Sequence, residues 1–194
     1  MHKLIVLVAE SCAGKDTVLN TLVSKHNMNR VISHTTRPIR KNEKQGVDYH
    51  FVSDQRFKNM DELNLFVETR KYNTIQNGEE TIWCYGVTKD AVSTSLKNNN
   101  AVIILDLDGL KDMKKYMGEE NMISFYLQVN EEERLRRAKA RGDEEEEVLR
   151  RLQDDKIKFA EASSHVNLTI YNQNGLLSHE DIAWIINKVA NERL

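Results

Sequence analysis

The chain has 194 residues, enough for one domain with a substantial core. With 28 basic against 30 acidic residues its net charge is −2, which excludes the broad positive field of a non-specific nucleic-acid binder. No apolar run reaches membrane-spanning length, Met1 to Val8 is too short for a signal peptide, and the two cysteines form neither a disulfide framework nor a metal site, so the cytoplasm is the expected compartment.

Leu4 to Ala9 is a continuous apolar run, the pattern of a strand buried on both faces. Val18, Leu19, Leu22 and Val23 then follow at helical spacing. Between strand and helix lies a loop of mostly small residues, running through Ser11, Cys12 and Ala13 to Gly14, Lys15, Asp16 and Thr17. The first amides of a helix have no partner within it. Together with the helix dipole and one lysine they form a nest for phosphate oxygens. The phosphate-loop pattern G-x-x-x-x-G-K-[ST] is met imperfectly: Ala9 replaces the first glycine and Asp16 the hydroxyl residue. Thr17, one place on, is the candidate magnesium-facing hydroxyl; the rival reading is an ordinary strand–turn–helix with a solvated lysine.

Further along, Arg30 to Ile32 reads as a short strand and His50 to Val52 as an alternating one, with Ser53 and Asp54 capping a helix over 56–60. Segments 64–76 and 79–87 flank Asn77-Gly78, a strong hairpin signal, and Thr88 caps a helix to about Leu96. Apolar strands follow at 101–105 and 122–129, with a helix through Met113 and Tyr116 between them. Residues 130–160 are helical and charge-dense, broken at Arg141-Gly142-Asp143; a last strand spans 166–171 and an amphipathic helix 179–193. Strands alternating with helices imply an α/β layer with a parallel sheet, interrupted between residues 33 and 87 by hairpins that look like an inserted lobe. Cys12, Cys84, Trp83 and Trp184 read as packing residues.

Ser33, Thr35, Thr36, Arg37, Arg40, Glu43, Gly46, Asp48, Tyr49 and Phe51 match the pattern S-x-T-T-R-x-x-R-x-x-E-x-x-G-x-D-Y-x-F. This segment resembles the acceptor-nucleotide lobe of guanylate kinase. Two arginines three residues apart, with hydroxyls, suit a phosphate dianion through charge-assisted bonds. The resemblance extends to Glu68, matching the glutamate that reads the guanine edge, and to Tyr85-Gly86, whose tyrosine binds the acceptor phosphate. Val87 stands where the family has a hydroxyl residue facing the guanine oxygen, with Thr88 adjacent. Asp106 matches an aspartate at a core strand's end, Asp108 being its rival counterpart. Arg137, Arg141 and Gly142, with Arg151, resemble the family's lid; Arg134, Arg136 and Arg150 read as solvated helix cations.

The resemblance implies a P-loop three-layer fold: core at 1–32, 88–129 and 153–194, acceptor-binding lobe at 33–87 and lid at 130–152. It implies γ-phosphoryl transfer from ATP to GMP with Mg²⁺. Ser11 to Thr17 then hold ATP, and Ser33, Arg37, Arg40, Glu43, Tyr49, Glu68, Tyr85 and Asp106 hold GMP. Lys15, Arg137, Arg141 and Arg151 act on the transferring group. Neither nucleic acid nor membrane is an expected partner, and the oligomeric state is open between monomer and homodimer. Two rival classes are a kinase of another nucleoside monophosphate or a ribose phosphate on the same scaffold, and a non-catalytic guanylate-kinase-like binding module.

Overall fold

A computed structural model describes residues 2–76 and 79–192. In chain order the elements are β1 (Leu4–Ala9), α1 (Lys15–His26), β2 (Asn29–Arg30), β3 (His34–Thr35), β4 (His50–Phe51), α2 (Asp54–Glu62), β5 (Phe66–Gln76), β6 (Glu79–Thr88) and α3 (Lys89–Ser95). There follow β7 (Ala101–Ile104), α4 (Leu107–Met117), β8 (Met122–Gln128), α5 (Glu131–Arg141), α6 (Glu145–Lys158), α7 (Ala162–His165), β9 (Leu168–Tyr171) and α8 (His179–Asn191).

The main sheet runs β2-β7-β1-β8-β9 and all its pairings are parallel. Its central strand explains the unbroken apolar run at the start of the sequence. Ile5, Leu7 and Ala9 pack on one face with Val18, Leu19 and Leu22 of α1 and Ile182 and Ile186 of α8. Leu4, Val6 and Val8 pack on the other with Leu110 and Met113 of α4 and Val92 of α3. Period-two alternation thus feeds two cores instead of one core and solvent. The result is a mixed α/β fold of three layers, as the alternation of strands and helices implied.

The second sheet, β4-β3-β6-β5, is built from the stretch that broke the alternation. Its long β5–β6 hairpin is antiparallel, whereas β3 and β4 pair in parallel. The hairpin register runs out to Gln76 opposite Glu79, and the Asn77-Gly78 turn itself lies outside the described residues. Several boundaries differ from the sequence-based expectation. Residues 31 and 32 continue no strand: Val31 bonds once to Val102, and the chain then leaves for the second sheet. The hairpin starts at Phe66 because Asn64 takes a left-handed turn at φ 54°. Trp184 is 56% exposed, its ring facing the Lys188 ammonium, and therefore lies outside the core where it was expected.

Candidate active site

β7, β1 and β8 are adjacent parallel strands, and in open parallel α/β sheets ligands usually bind beyond the carboxyl ends of such strands. After β1 the chain turns through Cys12 and Gly14, both at positive φ (62° and 92°), and enters α1. A Cβ on Gly14 would come within 2.6 Å of His179 Nε2 and 3.3 Å of an Arg137 nitrogen, so the position has neither the backbone geometry nor the space for a side chain. Lys15 begins α1 and makes no hydrogen bond or ion pair among the described residues. The Val18 amide is the first to bond back into the helix, to Gly14, which leaves the amides of Lys15, Asp16 and Thr17 at the helix mouth.

Not every loop donor is free. The Ser11 amide donates to Asp155 Oδ2 at 2.8 Å, and the Ala13 amide turns back to the Glu10 carbonyl at 3.4 Å. The expected phosphate cradle therefore narrows toward the helix end of the loop, and Ser11 serves as an anchor through its backbone.

That anchor belongs to a network that the sequence reading missed. Arg134 is 2% exposed, and its guanidinium reaches Asp155 Oδ2 at 3.0 Å, Glu10 Oε1 at 3.2 Å and the Ser11 carbonyl at 3.4 Å. It is a buried clamp on the loop, which corrects its assignment as a solvated cation; Arg136 and Arg150 are surface residues as expected, 69% and 54% exposed. A signal was available: Arg134 stands four residues before the fully buried Ala138, on the inward stripe of α5. Burial raises the Glu10 carboxyl above its usual range although the Arg134 charge opposes this.

Arg137, one turn on, donates to the Ala13 carbonyl at 3.0 Å and to Glu133 Oε1 at 2.8 Å. Arg141 lies beside Cys12 Sγ at 3.4 Å and forks onto Asp143. Gly142, left-handed at φ 79°, ends α5 and turns the chain into α6, where Arg151 pairs with Glu147 at 2.7 Å. The Asp143 carboxyl is held below its usual range first by its bonds to Arg141, and further by the charges of Arg151 and Arg40. Cations of α5, of α6 and of the loop before β4 thus all act electrostatically on one anion.

Two residues after β3 of the second sheet, Arg37 is 4% exposed. Its guanidinium donates to Glu43 Oε1 at 2.7 Å and to the Pro38 carbonyl at 2.9 Å, and sits over the rings of Tyr49 and Phe51 at 5.5 and 5.7 Å. The second Glu43 oxygen accepts from the Arg40 amide at 2.9 Å. Glu43 is therefore placed to position the two arginines, whereas Arg40 keeps its side chain exposed. Tyr49 meets Tyr85 edge to face at 5.9 Å, and its phenol is pushed up to about 12 by burial, by Tyr85 and by the Asp16 carboxylate. Asp16, at the helix mouth, thus acts electrostatically on the tyrosine just before β4. Ser33 leads into β3, its carbonyl accepting from the His50 amide.

Glu68 is turned inward by a bulge between Phe66 and Glu68. It is 6% exposed, its Oε2 has no hydrogen-bond partner, and burial pushes its carboxyl up to about 7. Asp106 caps α4 by accepting from the Gly109 amide at 2.7 Å; it also takes Arg70 Nε at 3.3 Å and the Tyr72 hydroxyl at 2.9 Å. Asp108, its rival in the sequence reading, points outward to Lys111. Arg70, Tyr72 and Asp112 were not singled out by the sequence reading.

The arrangement defines a class: an α/β protein with a helix mouth suited to anions and a separate cluster of arginines with tyrosines. The comparisons make this particular. A guanylate kinase family model matches residues 1–189. A guanylate kinase of Bacteroides thetaiotaomicron is 37% identical over 76% of this chain and 70% of its own, and one of Porphyromonas gingivalis is 33% identical over 79% and 80%. The crystal structure of guanylate kinase from Anaplasma phagocytophilum superposes with a TM-score of 0.70 at 23% identity, covering 97% of this chain and 84% of that one, and so shares the fold. The chain belongs to the guanylate kinase family.

Proposed function

We infer that this protein is an enzyme transferring the γ-phosphoryl group of ATP to GMP, giving ADP and GDP. The observation that carries the reading is that Arg137 and Arg141 of α5 reach the loop before Lys15, at the Ala13 carbonyl (3.0 Å) and Cys12 Sγ (3.4 Å), while Arg37 and Arg40 are gathered on Glu43. Cations are thus collected at the donor loop and in a second cluster around Glu43, as transfer between two phosphates requires. Residues 33–87 would bind the acceptor, 130–152 would form the lid, and the remainder is the core.

An acceptor phosphate oxygen is already ionised near neutral pH, so no strong protein base is needed, and positioning with charge neutralisation supplies the catalysis. Lys15 and the first amides of α1 hold the donor phosphates. Arg40 and Arg37, with Tyr49 and Tyr85, fix the acceptor phosphate, and Glu43 holds both arginines in place. Ser33, Glu68 and Asp106 face the base. Arg137, Arg141 and Arg151 close over the transferring group and exclude water, which would otherwise hydrolyse ATP.

The residues present fit a magnesium ion bound largely through phosphate. Asp16 and Thr17 are exposed on the first turn of α1, and among the described residues no group of three or more His, Cys, Asp and Glu side chains could cage a metal. Thr17 and Asp16 would hold the ion; when bound it neutralises charge on the phosphate oxygens. ATP and GMP supply places the reaction in the cytoplasm.

Measuring ADP release with GMP, dGMP, AMP, dTMP and ribose phosphates tests the acceptor. GMP should give the highest kcat/KM, and a ribose phosphate exceeding it would overturn the reading. Arg40→Ala should raise the KM for GMP about 10-fold or more with a smaller change in the KM for ATP, because a charge-assisted bond contributes roughly 1.5–3 kcal/mol. An unchanged KM for GMP removes Arg40 from the acceptor site.

Glu68 gives a pH test. Its carboxyl is raised by burial, so it is progressively ionised as pH rises through about 7. The base edge donates N–H groups and needs the ionised form. Binding of GMP to the free enzyme should tighten between pH 6 and 8 by titration calorimetry, and Glu68→Gln should flatten the part of that profile not due to the nucleotide's own phosphate. The stability sign is the reverse. A carboxyl whose folded-state pKa is raised stabilises the fold below its unfolded value, and that contribution is lost as pH rises toward 7. Glu68→Gln should therefore gain stability relative to the parent chain across that window.

A further inference from the structure

We propose that Arg70 is a specificity-determining residue, donating from Nη1 to a ring carbonyl of the acceptor base while Glu68 accepts from the adjacent ring N–H. The proposal rests on the reading of Glu68 as a base-facing carboxylate and adds the group that selects the base class.

Glu68 and Arg70 point to the same face of β5, two residues apart, opposite Val87 and Tyr85 of β6. Val87, directly across from Glu68, brings no polar atom. The Arg70 guanidinium is held on three sides: Nε by Asp106 Oδ1 at 3.3 Å, Nη2 by Asp112 Oδ2 at 2.7 Å and Nη1 by the Thr69 carbonyl at 2.6 Å. A guanidinium has five N–H donors, so Nη1 retains one. That nitrogen lies 3.8 Å from Glu68 Oε2, the buried oxygen that lacks any hydrogen-bond partner. The two groups are too far apart to satisfy each other. They are close enough for one planar ligand edge to meet both.

A buried carboxylate oxygen left without a bond is unfavourable unless a ligand completes it. The complementary edge carries a carbonyl beside an N–H: the lactam edge of guanine, hypoxanthine, uracil or thymine. Adenine and cytosine reverse it. Their exocyclic amine would face the Arg70 donor, and their bare ring nitrogen would face the Glu68 acceptor. Arg70 is braced by two aspartates, so it is oriented before the base arrives and little rotamer freedom is lost on binding. Its charge also favours the ionised form of Glu68.

The test compares GMP with the 2,6-diaminopurine ribonucleotide, which differs from it at the lactam edge, using the intact enzyme and saturating ATP–Mg²⁺. The parent chain should prefer GMP strongly in kcat/KM. Arg70→Met should lower kcat/KM for GMP about 10- to 100-fold while leaving the diaminopurine nucleotide unchanged or improved, so the preference collapses. Arg70→Lys, which keeps a charge but loses the fork, should restore only part of it. If both substrates fall by the same factor, Arg70 merely braces Asp106 and Asp112, and the proposal fails. The ratio is taken within one preparation and does not depend on how much of the variant folds. Failure of the parent reading looks different: Glu68→Gln would then leave the KM for GMP unaltered while Arg70→Met still shifted the ratio, and base recognition by the pair would be abandoned.

Discussion

Lys15→Met should abolish phosphoryl transfer, lowering kcat by roughly 10² to 10³ or more, while the fold stays intact. The side chain makes no hydrogen bond or ion pair among the described residues, so removing its charge takes no internal contact from the fold. Its ammonium stands on the first residue of α1, where it adds to the positive end of the helix and to the amides of the first turn. The charge that builds on the donor phosphates during transfer would lose its nearest fixed cation. Circular dichroism and Tm within a degree or two of the parent, together with loss of coupled ADP release, is the expected pair of results. A normal rate would remove the donor phosphates from this loop. A collapsed Tm would mean that Lys15 has a structural role that its lack of contacts denies.

The second large effect concerns stability. Arg134→Leu should cost roughly 3–5 kcal/mol, because it strands the Glu10 and Asp155 carboxylates, 9% and 7% exposed, without their common cation. For a chain of this size that corresponds to a fall in Tm of about 10 °C or more. The loop should loosen as well, since Asp155 orients the Ser11 amide and Arg134 itself reaches the Ser11 carbonyl. Thermal unfolding by calorimetry measures the first effect, and the KM for ATP in the surviving folded protein measures the second. Arg134→Lys should recover less than half of the loss, because one ammonium cannot serve three acceptors in a fixed fork. If Arg134→Leu unfolds with the parent's Tm, the clamp contributes nothing and Arg134 is only a buried passenger.

The two substitutions separate what a local reading can and cannot reach. The place of Lys15 on the first turn of α1 was legible because it depends on local chain order: a buried strand, a tight loop, a helix start. The same holds for the break at Gly142, where a left-handed residue ends α5, and for the Thr88 cap of α3, whose hydroxyl accepts from the Ala91 amide at 3.2 Å. Arg37 and Arg40 stood out through a long spaced pattern, although the burial of the one and the exposure of the other did not. Glu43 bonds to Arg37 and to the Arg40 amide, a link between the two arginines that residue spacing does not reveal.

By itself the sequence determined the layered α/β architecture, because hydrophobic period and strand–helix alternation are properties of consecutive residues. It also singled out Lys15, Arg37 and Arg40 as candidates, because motif spacing survives in one dimension. Only the tertiary structure decided which charges are buried and with whom. Arg134 looks like its neighbours Arg136 and Arg137 until β1 and α6 bring Glu10 and Asp155 against it. Arg70 is an unremarked cation in a hairpin until α4 supplies Asp106 and Asp112. Electrostatic energy depends on separation in space and on exclusion of water, and neither is written in the order of residues along the chain.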